Sequence, residues 1–240
     1  VMAAHPVLDA FHPAVAGWFA RAFPAPTEAQ QAAWPAIAAG RDVLVAAPTG
    51  SGKTLTAFLT ALDGLVREGL AQGLPDATLV LYVSPLKALS NDIHVNLEAP
   101  LAGIRAALAG MGLPDVPIRT AVRTGDTPAE ARRRMLRQPP EILITTPESL
   151  NLLLSSKGGR GMLGAVRLVI LDEVHAVAGS KRGVFLMAAV ERLALLAGEF
   201  QRVALSATVS PLAEAARFVG GLAPGPNGVL APRSVAVVES

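Results

Sequence analysis

The residues best suited to chemistry in this chain form a short glycine-rich segment at positions 47–54, with the sequence Ala-Pro-Thr-Gly-Ser-Gly-Lys-Thr. An apolar run at 43–46 precedes this segment, and a helical pattern starts at Leu55. A strand, a glycine-rich turn ending in Lys-Thr, and a helix make the context of a phosphate-binding loop, because backbone N–H groups and the positive end of the helix dipole converge on phosphate oxygens. The segment therefore predicts a nucleoside triphosphate site.

Most residues of the segment are expected to hold the triphosphate. Lys53 is expected to reach the β- and γ-phosphates as a catalytic charge, and the hydroxyl of Thr54 is expected to bind Mg²⁺. Ala47 stands where the generic pattern has glycine, although it is still small. The alternative is an ordinary glycine-rich turn that happens to end in Lys-Thr. The expected nucleotide-binding residues of this segment are Thr49, Gly50, Ser51, Gly52, Lys53 and Thr54.

Two acidic residues directly follow a second apolar run at 168–171. Asp172 is expected to hold Mg²⁺ through water, because Mg²⁺ prefers carboxylates and keeps several of its waters. Glu173 is expected to orient or deprotonate the attacking water. The alternative is that the pair caps the next helix, since acidic residues favour first turns.

Short apolar runs alternate with longer stretches of helical periodicity along the whole chain. This alternation predicts an α/β fold with a mostly parallel central sheet of about seven strands and helices on both faces. Most polar motifs directly follow a strand, so they should gather at one edge of the sheet. Residues 220–232 are interpreted as a linker or long loop. The predicted strands are 43–46, 79–83, 118–122, 142–145, 168–171, 203–206 and 235–238. The predicted helices are 15–23, 28–39, 55–70, 91–108, 128–136, 149–154, 183–196 and 212–218.

The phosphate loop, the Asp-Glu-Val-His sequence at 172–175 and Ser-Ala-Thr at 206–208 together resemble the first RecA-like domain of superfamily 2 helicases of the DExH type. The resemblance extends from about residue 11 to residue 219. Three further segments, at 11–15, 34–37 and 179–183, resemble the Lhr-like (large helicase-related) group. The resemblance implies a RecA-like P-loop NTPase that uses ATP and Mg²⁺ for helicase or translocase activity, with 3′-to-5′ unwinding of DNA or RNA–DNA hybrids.

The resemblance also implies a domain arrangement. Residues 1–40 would be a helical lead-in that carries the adenine-reading Q motif at 26–30, and residues 41–240 would be the first RecA-like domain. The second RecA-like domain, which carries the arginines that complete the site, would be absent, because only about 30 residues follow Thr208. We therefore expect the isolated chain to hydrolyse ATP weakly or not at all.

Further residues receive roles from the same resemblance. Gln30 would read the adenine edge, because its amide both donates and accepts hydrogen bonds. Three segments that follow strands would line the nucleic-acid groove, and three residues would couple that groove to the nucleotide site. The expected nucleic-acid contacts are Pro85, Lys87, Arg123, Thr124, Gly125, Thr146 and Pro147. The expected coupling residues are His175, Ser206 and Thr208.

Composition limits the classes of partner. The net charge of +2 indicates local rather than global attraction to nucleic acid. Single-stranded or partly duplex DNA is the expected partner, and RNA stays open. The arginine run at 132–134 is interpreted as a solvated helix face. The absence of cysteine, of a signal peptide and of a long apolar stretch predicts a cytoplasmic protein without a membrane segment.

Three other functions stay open from the residues alone. The first is a DExH ATPase that remodels RNA, because it would share these motifs. The second is a non-catalytic nucleic-acid-binding module, against which the intact Lys53, Thr54, Asp172 and Glu173 count. The third is a P-loop transporter or metabolic NTPase, which would not need the segments that line a groove.

Overall fold

A computed structural model describes residues 5–85 and 90–240. Its main element is a seven-stranded sheet in the order β3-β4-β2-β5-β6-β1-β9, in which every neighbouring pair is parallel. The predicted parallel α/β sheet of seven strands is therefore confirmed. The strands of the described residues are β1 Asp42–Ala46, β2 Val80–Val83, β3 Thr120–Arg123, β4 Ile142–Thr145, β5 Leu168–Leu171, β6 Gln201–Ser206, β7 Leu222–Pro224, β8 Leu230–Pro232 and β9 Val235–Glu239.

Helices cover both faces of the sheet. Along β1, Val43 and Val45 enter one apolar core together with Phe58, whereas Leu44 enters the other core together with Leu186, because successive strand residues point to opposite faces. The α-helices are α1 Pro13–Ala22, α2 Glu28–Ala38, α3 Lys53–Gln72, α4 Ser90–Ile93, α5 Ala99–Gly110, α6 Ala129–Arg137, α7 Pro147–Leu154, α8 Lys157–Leu163, α9 Lys181–Ala197 and α10 Leu212–Gly220. Short 3₁₀ turns span Pro6–Ala10 and Val174–Ala176, and a π-helical turn spans His94–Glu98. No helix within the two described ranges is both long and apolar enough to cross a bilayer.

Two segments differ from the sequence prediction. The interpretation of residues 220–232 as a linker or loop was wrong, since β7 and β8 form an antiparallel hairpin there. The glycine-rich helix α8 was not predicted, because its three glycines have low helix propensity. It forms where Ser156 caps its first turn and where its backbone lies so close to α7 that a Cβ at Gly159 would collide with the carbonyl of Leu153.

The lead-in helices pack into the same core as the sheet. The ring of Trp34 is 2% exposed and makes edge contacts with Phe11 and Phe19, at centroid distances of 5.0 and 5.4 Å. Its indole nitrogen donates a hydrogen bond to the carbonyl of Thr56 at 3.1 Å. Trp34 therefore joins the lead-in helices to the rest of the domain, whereas the division at residue 40 stays a prediction.

The strand order sets the layout of the polar motifs at the carboxyl edge of the sheet. The glycine-rich segment follows β1, and the acidic pair follows β5, with β6 lying between them. The other three segments follow β2, β4 and β3, which form the opposite half of the sheet. One half of this edge is therefore built for phosphate chemistry, and the adjoining half presents the segments with hydroxyl and guanidinium groups.

Candidate nucleotide site

The phosphate loop turns at two positions whose backbone conformation favours glycine. Gly50 and Gly52 have φ values of +84° and +79°, which favour glycine because it has no Cβ. A Cβ on Gly52 would also lie 2.6 Å from Nε2 of Gln30. The loop is anchored to the sheet by the N–H of Ala47, which donates to the carbonyl of Ser206 at 3.1 Å. The main chain of this loop is thus fixed from both sides.

Lys53 begins α3 and curls back over the loop. Its Nζ donates to the carbonyls of Ala47 and Pro48, at 2.6 and 2.9 Å. Burial lowers the pKa of Lys53, and the nearby charges of Asp172 and Glu173 act in the opposite direction. The hydroxyl of Ser51 is buried without a hydrogen-bond partner among the described residues, and a bound polar ligand would satisfy it.

The predicted Q motif contacts the phosphate loop directly. The Thr27 hydroxyl donates to the carbonyl of Ser51 at 2.8 Å, and Nε2 of Gln30 donates to the carbonyl of Gly52 at 3.4 Å. Oε1 of Gln30 accepts from the N–H of Thr27 at 2.9 Å, which completes a capping box at the start of α2. The structure therefore places Gln30 against the loop, whereas its adenine-reading role stays a prediction.

Asp172 is the buried acid of the site. Its carboxylate is joined to the start of α3, because Oδ2 accepts from the hydroxyl of Thr54 at 3.3 Å. The same oxygen accepts from the hydroxyl of Tyr82 at 2.5 Å, and Oδ1 accepts from the N–H of Glu173 at 2.7 Å. Burial raises the pKa of Asp172, while the hydrogen bonds that it accepts lower it. Burial also raises the pKa of Tyr82, so its hydroxyl stays a donor.

Thr54 and Asp172 together suit a magnesium ion. A hydroxyl and a carboxylate are hard oxygen ligands of the kind that Mg²⁺ prefers. Among residues 5–85 and 90–240, no group of three or more His, Cys, Asp or Glu side chains gathers into a metal cage. An ion held here would therefore complete its shell with phosphate oxygens and water, which is how Mg²⁺ is bound in nucleotide sites.

Glu173 is held in an unusual backbone conformation. Its φ is +54°, which makes it the one non-glycine residue with positive φ in the described part of the chain. Such strain persists where surrounding structure enforces it, and it is frequent at functional sites. Oε2 of Glu173 lies 3.1 Å from Nε2 of His175, and Nδ1 of His175 accepts from the N–H of Ala207 at 3.0 Å. Because Nδ1 accepts, the ring proton of the neutral imidazole is on Nε2 and faces the carboxylate.

The Ser-Ala-Thr segment therefore reaches the acidic motif through its backbone. The hydroxyl of Ser206 donates to the carbonyl of Ala207 at 2.7 Å, and it is buried. Thr208 is exposed beyond the end of β6. Sequence reasoning missed the role of the Ala207 backbone, because a backbone donor has no side-chain signature.

The expected groove residues occupy the other half of the edge. Pro85 follows β2, and Lys87 lies outside the described residues. Arg123 is 6% exposed, and its Nη1 donates to the carbonyl of Thr124 at 2.6 Å and lies 3.5 Å from the Ser149 hydroxyl. Burial lowers the pKa of Arg123, and the charge of Arg132 adds to this effect. Arg123 thus holds the segments after β3 and β4 together.

Short-range hydrogen bonds position the two other segments of the expected groove, which follow β4 and β3. Thr146 caps α7 through its hydroxyl, which accepts from the N–H of Ser149 at 3.4 Å, and Pro147 is the first helical residue. The loop that contains Thr124 and Gly125 is braced by Arg132, whose guanidinium donates to the carbonyls of both residues. The roles of these residues toward nucleic acid stay predictions.

The interpretation of residues 132–134 as a solvated face was wrong for its first member. Arg132 is half-buried and donates from Nε to the carbonyl of Thr127 at 2.7 Å and from Nη2 to the carbonyl of Gly125 at 2.6 Å. The first turn of α6 brings this side chain back over the preceding loop. Arg133 and Arg134 are exposed.

Residues 27–216 match the family described as DEAD/DEAH box helicase. With the RecA-like sheet and the joined loop and acidic motif, this match shows that the chain belongs to the DEAD/DEAH box helicase family. The predicted superfamily is therefore confirmed.

Similar proteins support the predicted Lhr-like group. The chain is 53% identical over 214 residues to the ATP-dependent helicase Lhr-Core of Methanothermobacter thermautotrophicus, a match that covers 89% of the chain and 25% of that protein. It is 51% identical over 219 residues to the Lhr helicase/uracil glycosylase of Escherichia coli, covering 89% of the chain and 14% of that protein. The chain therefore spans a quarter or less of the length of these relatives.

Solved structures give the same result for the fold. The structure of Mycobacterium smegmatis helicase Lhr bound to ssDNA and AMP-PNP matches with a TM-score of 0.87 and 48% identity, over 98% of this chain and 28% of that chain. The DEAD-box helicase Mss116 bound to ssRNA and UDP-BeF matches with a TM-score of 0.73 at 20% identity, over 97% of this chain and 45% of that chain. The latter similarity shows the fold alone.

Proposed function

We propose that this chain is the first RecA-like domain of an Lhr-type, ATP-dependent helicase or translocase. The observation that carries the proposal is the hydrogen bond between Thr54 and Asp172, which joins the phosphate loop to the acidic motif across the sheet. The relatives named as ATP-dependent Lhr helicases, and the Lhr structure with AMP-PNP, support ATP as the nucleotide. Mg²⁺ would be held by Thr54 and, through water, by Asp172, and it would supply charge to the phosphates.

Different residues of the chain bind the triphosphate and activate the attacking water. The loop N–H groups and the N-terminus of α3 hold the triphosphate, and Lys53 exchanges its bonds to loop carbonyls for phosphate oxygens. Glu173 accepts a proton from the attacking water, with its carboxylate oriented by the Nε2–H of His175. In this proposal the arginines of a second RecA-like domain supply a rate factor of about 10³ to 10⁵, so the chain alone turns over slowly.

Nucleic acid is proposed to bind along the half of the sheet edge that follows β2, β4 and β3. The Lhr structure bound to ssDNA supports a single strand of DNA as the ligand. Backbone N–H groups, hydroxyls and the N-terminus of α7 suit phosphate contacts, which position a strand without reading its sequence. The proposed contacts are Pro85, Lys87, Arg123, Thr124, Gly125, Thr146 and Pro147.

The test is ATP hydrolysis by the full-length protein with single-stranded DNA, with single-stranded RNA, or with neither. We expect Lys53→Ala to abolish turnover, and Glu173→Gln to retain AMP-PNP binding while hydrolysis is lost. The matched control is Glu199→Gln, because Glu199 is an exposed carboxylate that precedes β6, at the amino end of the sheet. Normal hydrolysis by Glu173→Gln would refute the catalytic assignment. Stimulation by RNA alone would favour an RNA-remodelling ATPase, and nucleic-acid binding without any turnover would favour a binding module.

A further inference from the structure

Tyr82 lies on β2, next to the strand that leads into the acidic motif, although it belongs to none of the expected motifs. It is the single tyrosine of the chain and occupies the third position of β2. The residue is 2% exposed. Its ring stacks on Phe58 of α3, with centroids 4.9 Å apart and planes 26° apart. The ring of Tyr82 therefore packs against the helix that begins at Lys53.

The sheet register aims the Tyr82 hydroxyl at the acidic motif. Tyr82 pairs with Ile170 on the neighbouring parallel strand β5. Asp172 is two residues beyond Ile170 and so lies on the same face, within reach of a long side chain on the adjacent strand. The hydroxyl donates to Oδ2 of Asp172 at 2.5 Å, which is at the short end for a bond to a carboxylate.

Three donors thus converge on the Asp172 carboxylate, and each has a different origin. The Glu173 N–H fixes Oδ1, while the hydroxyls of Thr54 and Tyr82 share Oδ2. Thr54 would bind a magnesium ion through a lone pair of its hydroxyl oxygen and would still donate its proton to Asp172, because a hydroxyl has one proton and two lone pairs. The hydroxyl of Tyr82 is the second side-chain donor to Oδ2, and it comes from β2 rather than from the phosphate loop.

We propose that Tyr82 is a positioning residue that presents the carboxylate of Asp172 to Mg²⁺. This inference rests on the proposed function of the site, because it requires that magnesium nucleotide binds there. It adds to that function a role for a buried phenol on β2, which orients the carboxylate that binds the metal.

The first experiment measures Mg²⁺-dependent binding of AMP-PNP to the 240-residue chain by calorimetry. Tyr82→Phe removes only the hydroxyl, and we expect it to raise the half-saturating Mg²⁺ concentration about tenfold, as for a lost hydrogen bond to a charged acceptor. Binding without Mg²⁺ should not change. Phe58→Leu is the matched control, because it removes the stacked ring and keeps the hydroxyl.

The second experiment uses the fact that the chain has one tyrosine. Incorporation of 3-fluorotyrosine gives a single ¹⁹F resonance from position 82. We expect this resonance to shift when Mg²⁺ is added to the AMP-PNP complex of the unmodified chain. The same addition to the AMP-PNP complex of the Asp172→Asn variant should shift it much less. This readout does not depend on hydrolysis.

The outcomes separate the inference from the proposed function. An unchanged Mg²⁺ requirement in a folded Tyr82→Phe variant would overturn the inference, and so would an equal rise in Phe58→Leu, since packing would then be the cause. The inference would also be overturned if the chain binds magnesium AMP-PNP and the chemical shift of the ¹⁹F resonance does not change when Mg²⁺ is added. Failure of the unmodified chain to bind magnesium AMP-PNP would overturn the proposed function and this inference with it.

Discussion

The backbone N–H of Ala207 donates a hydrogen bond to Nδ1 of His175 at 3.0 Å. This bond links the end of β6 to the acidic motif at the end of β5. Because Nε2 of the same ring lies 3.1 Å from Glu173, a displacement of the Ala207 backbone would reorient the proposed catalytic carboxylate. The imidazole is therefore the physical connection between the two motifs.

We expect His175→Ala to lower nucleic-acid-stimulated ATP hydrolysis by the full-length protein about tenfold to a hundredfold, because Glu173 loses the group that orients it. Affinity for AMP-PNP should stay close to that of the unmodified protein. His175→Asn is the comparison variant, since its amide oxygen replaces the Nδ1 acceptor while nothing replaces the Nε2 donor. Stimulated turnover in His175→Ala at the rate of the unmodified protein would show that this ring does not couple the motifs.

Gly52→Ala should destabilise the chain more than Gly50→Ala. Both substitutions place a Cβ on a residue with positive φ, which costs about 1–2 kcal/mol. Only at Gly52 does the new Cβ also collide with the Gln30 amide, whereas it meets nothing within 4 Å at Gly50. We therefore expect an additional loss of up to about 1 kcal/mol, measured by urea unfolding, because the Gln30 amide that must move also holds the capping box of α2. Equal losses would mean that the Gln30 side chain moves aside freely.

Arg132→Ala should weaken binding of single-stranded DNA, although Arg132 is not proposed to touch it. The guanidinium holds the carbonyls of Gly125 and Thr127, so its removal loosens a loop of the proposed groove. We expect a loss of about 1 kcal/mol in the full-length protein, measured by fluorescence anisotropy. Arg133→Ala is the control, because that side chain is exposed on the same helix. An equal loss in both variants would indicate a general charge effect.

Glu191→Ala should be more destabilising than Glu199→Ala. Glu191 pairs with Arg202, which is 1% exposed, and with Arg233, whereas Glu199 pairs with Arg233 from the surface. Removing Glu191 leaves a buried guanidinium without its counter-ion, so we expect a loss approaching about 3 kcal/mol. Glu199→Ala should cost less than about 1 kcal/mol. Chemical unfolding of both variants measures the difference, and a ranking in the other order would contradict it.

The pair of Glu199 and Arg233 also predicts a dependence on pH. Arg233 holds the pKa of Glu199 below its ordinary value. The carboxylate therefore stabilises the fold above the unfolded pKa of glutamate, about 4.3, and this contribution disappears as the pH falls through the folded value. The melting temperatures of the unmodified chain and Glu199→Gln should differ slightly at neutral pH and converge in acid. A gap that widened in acid would show the opposite sign.

Local patterns in the sequence were enough to predict the positions of the segments that carry the chemistry. The glycine-rich turn after β1 and the acids after β5 depend on neighbouring residues, so their positions could be predicted. The hairpin of β7 and β8 could not, because its strands are three residues each and their periodicity is too short to read. Helix α8 was not predicted for a related reason, because its stability comes from packing on α7 rather than from its own helix propensity.

The sequence by itself determined the fold class, the phosphate loop and the identity of the acidic pair, because each is written in consecutive residues whose backbone preferences and side-chain types are local. Only the tertiary structure decided which side chains meet at the site. Tyr82 and Asp172 are 90 residues apart, and Thr54 and Asp172 are 118 apart. Their contacts follow from strand order and register, which arise when the apolar faces of the helices are buried on the sheet.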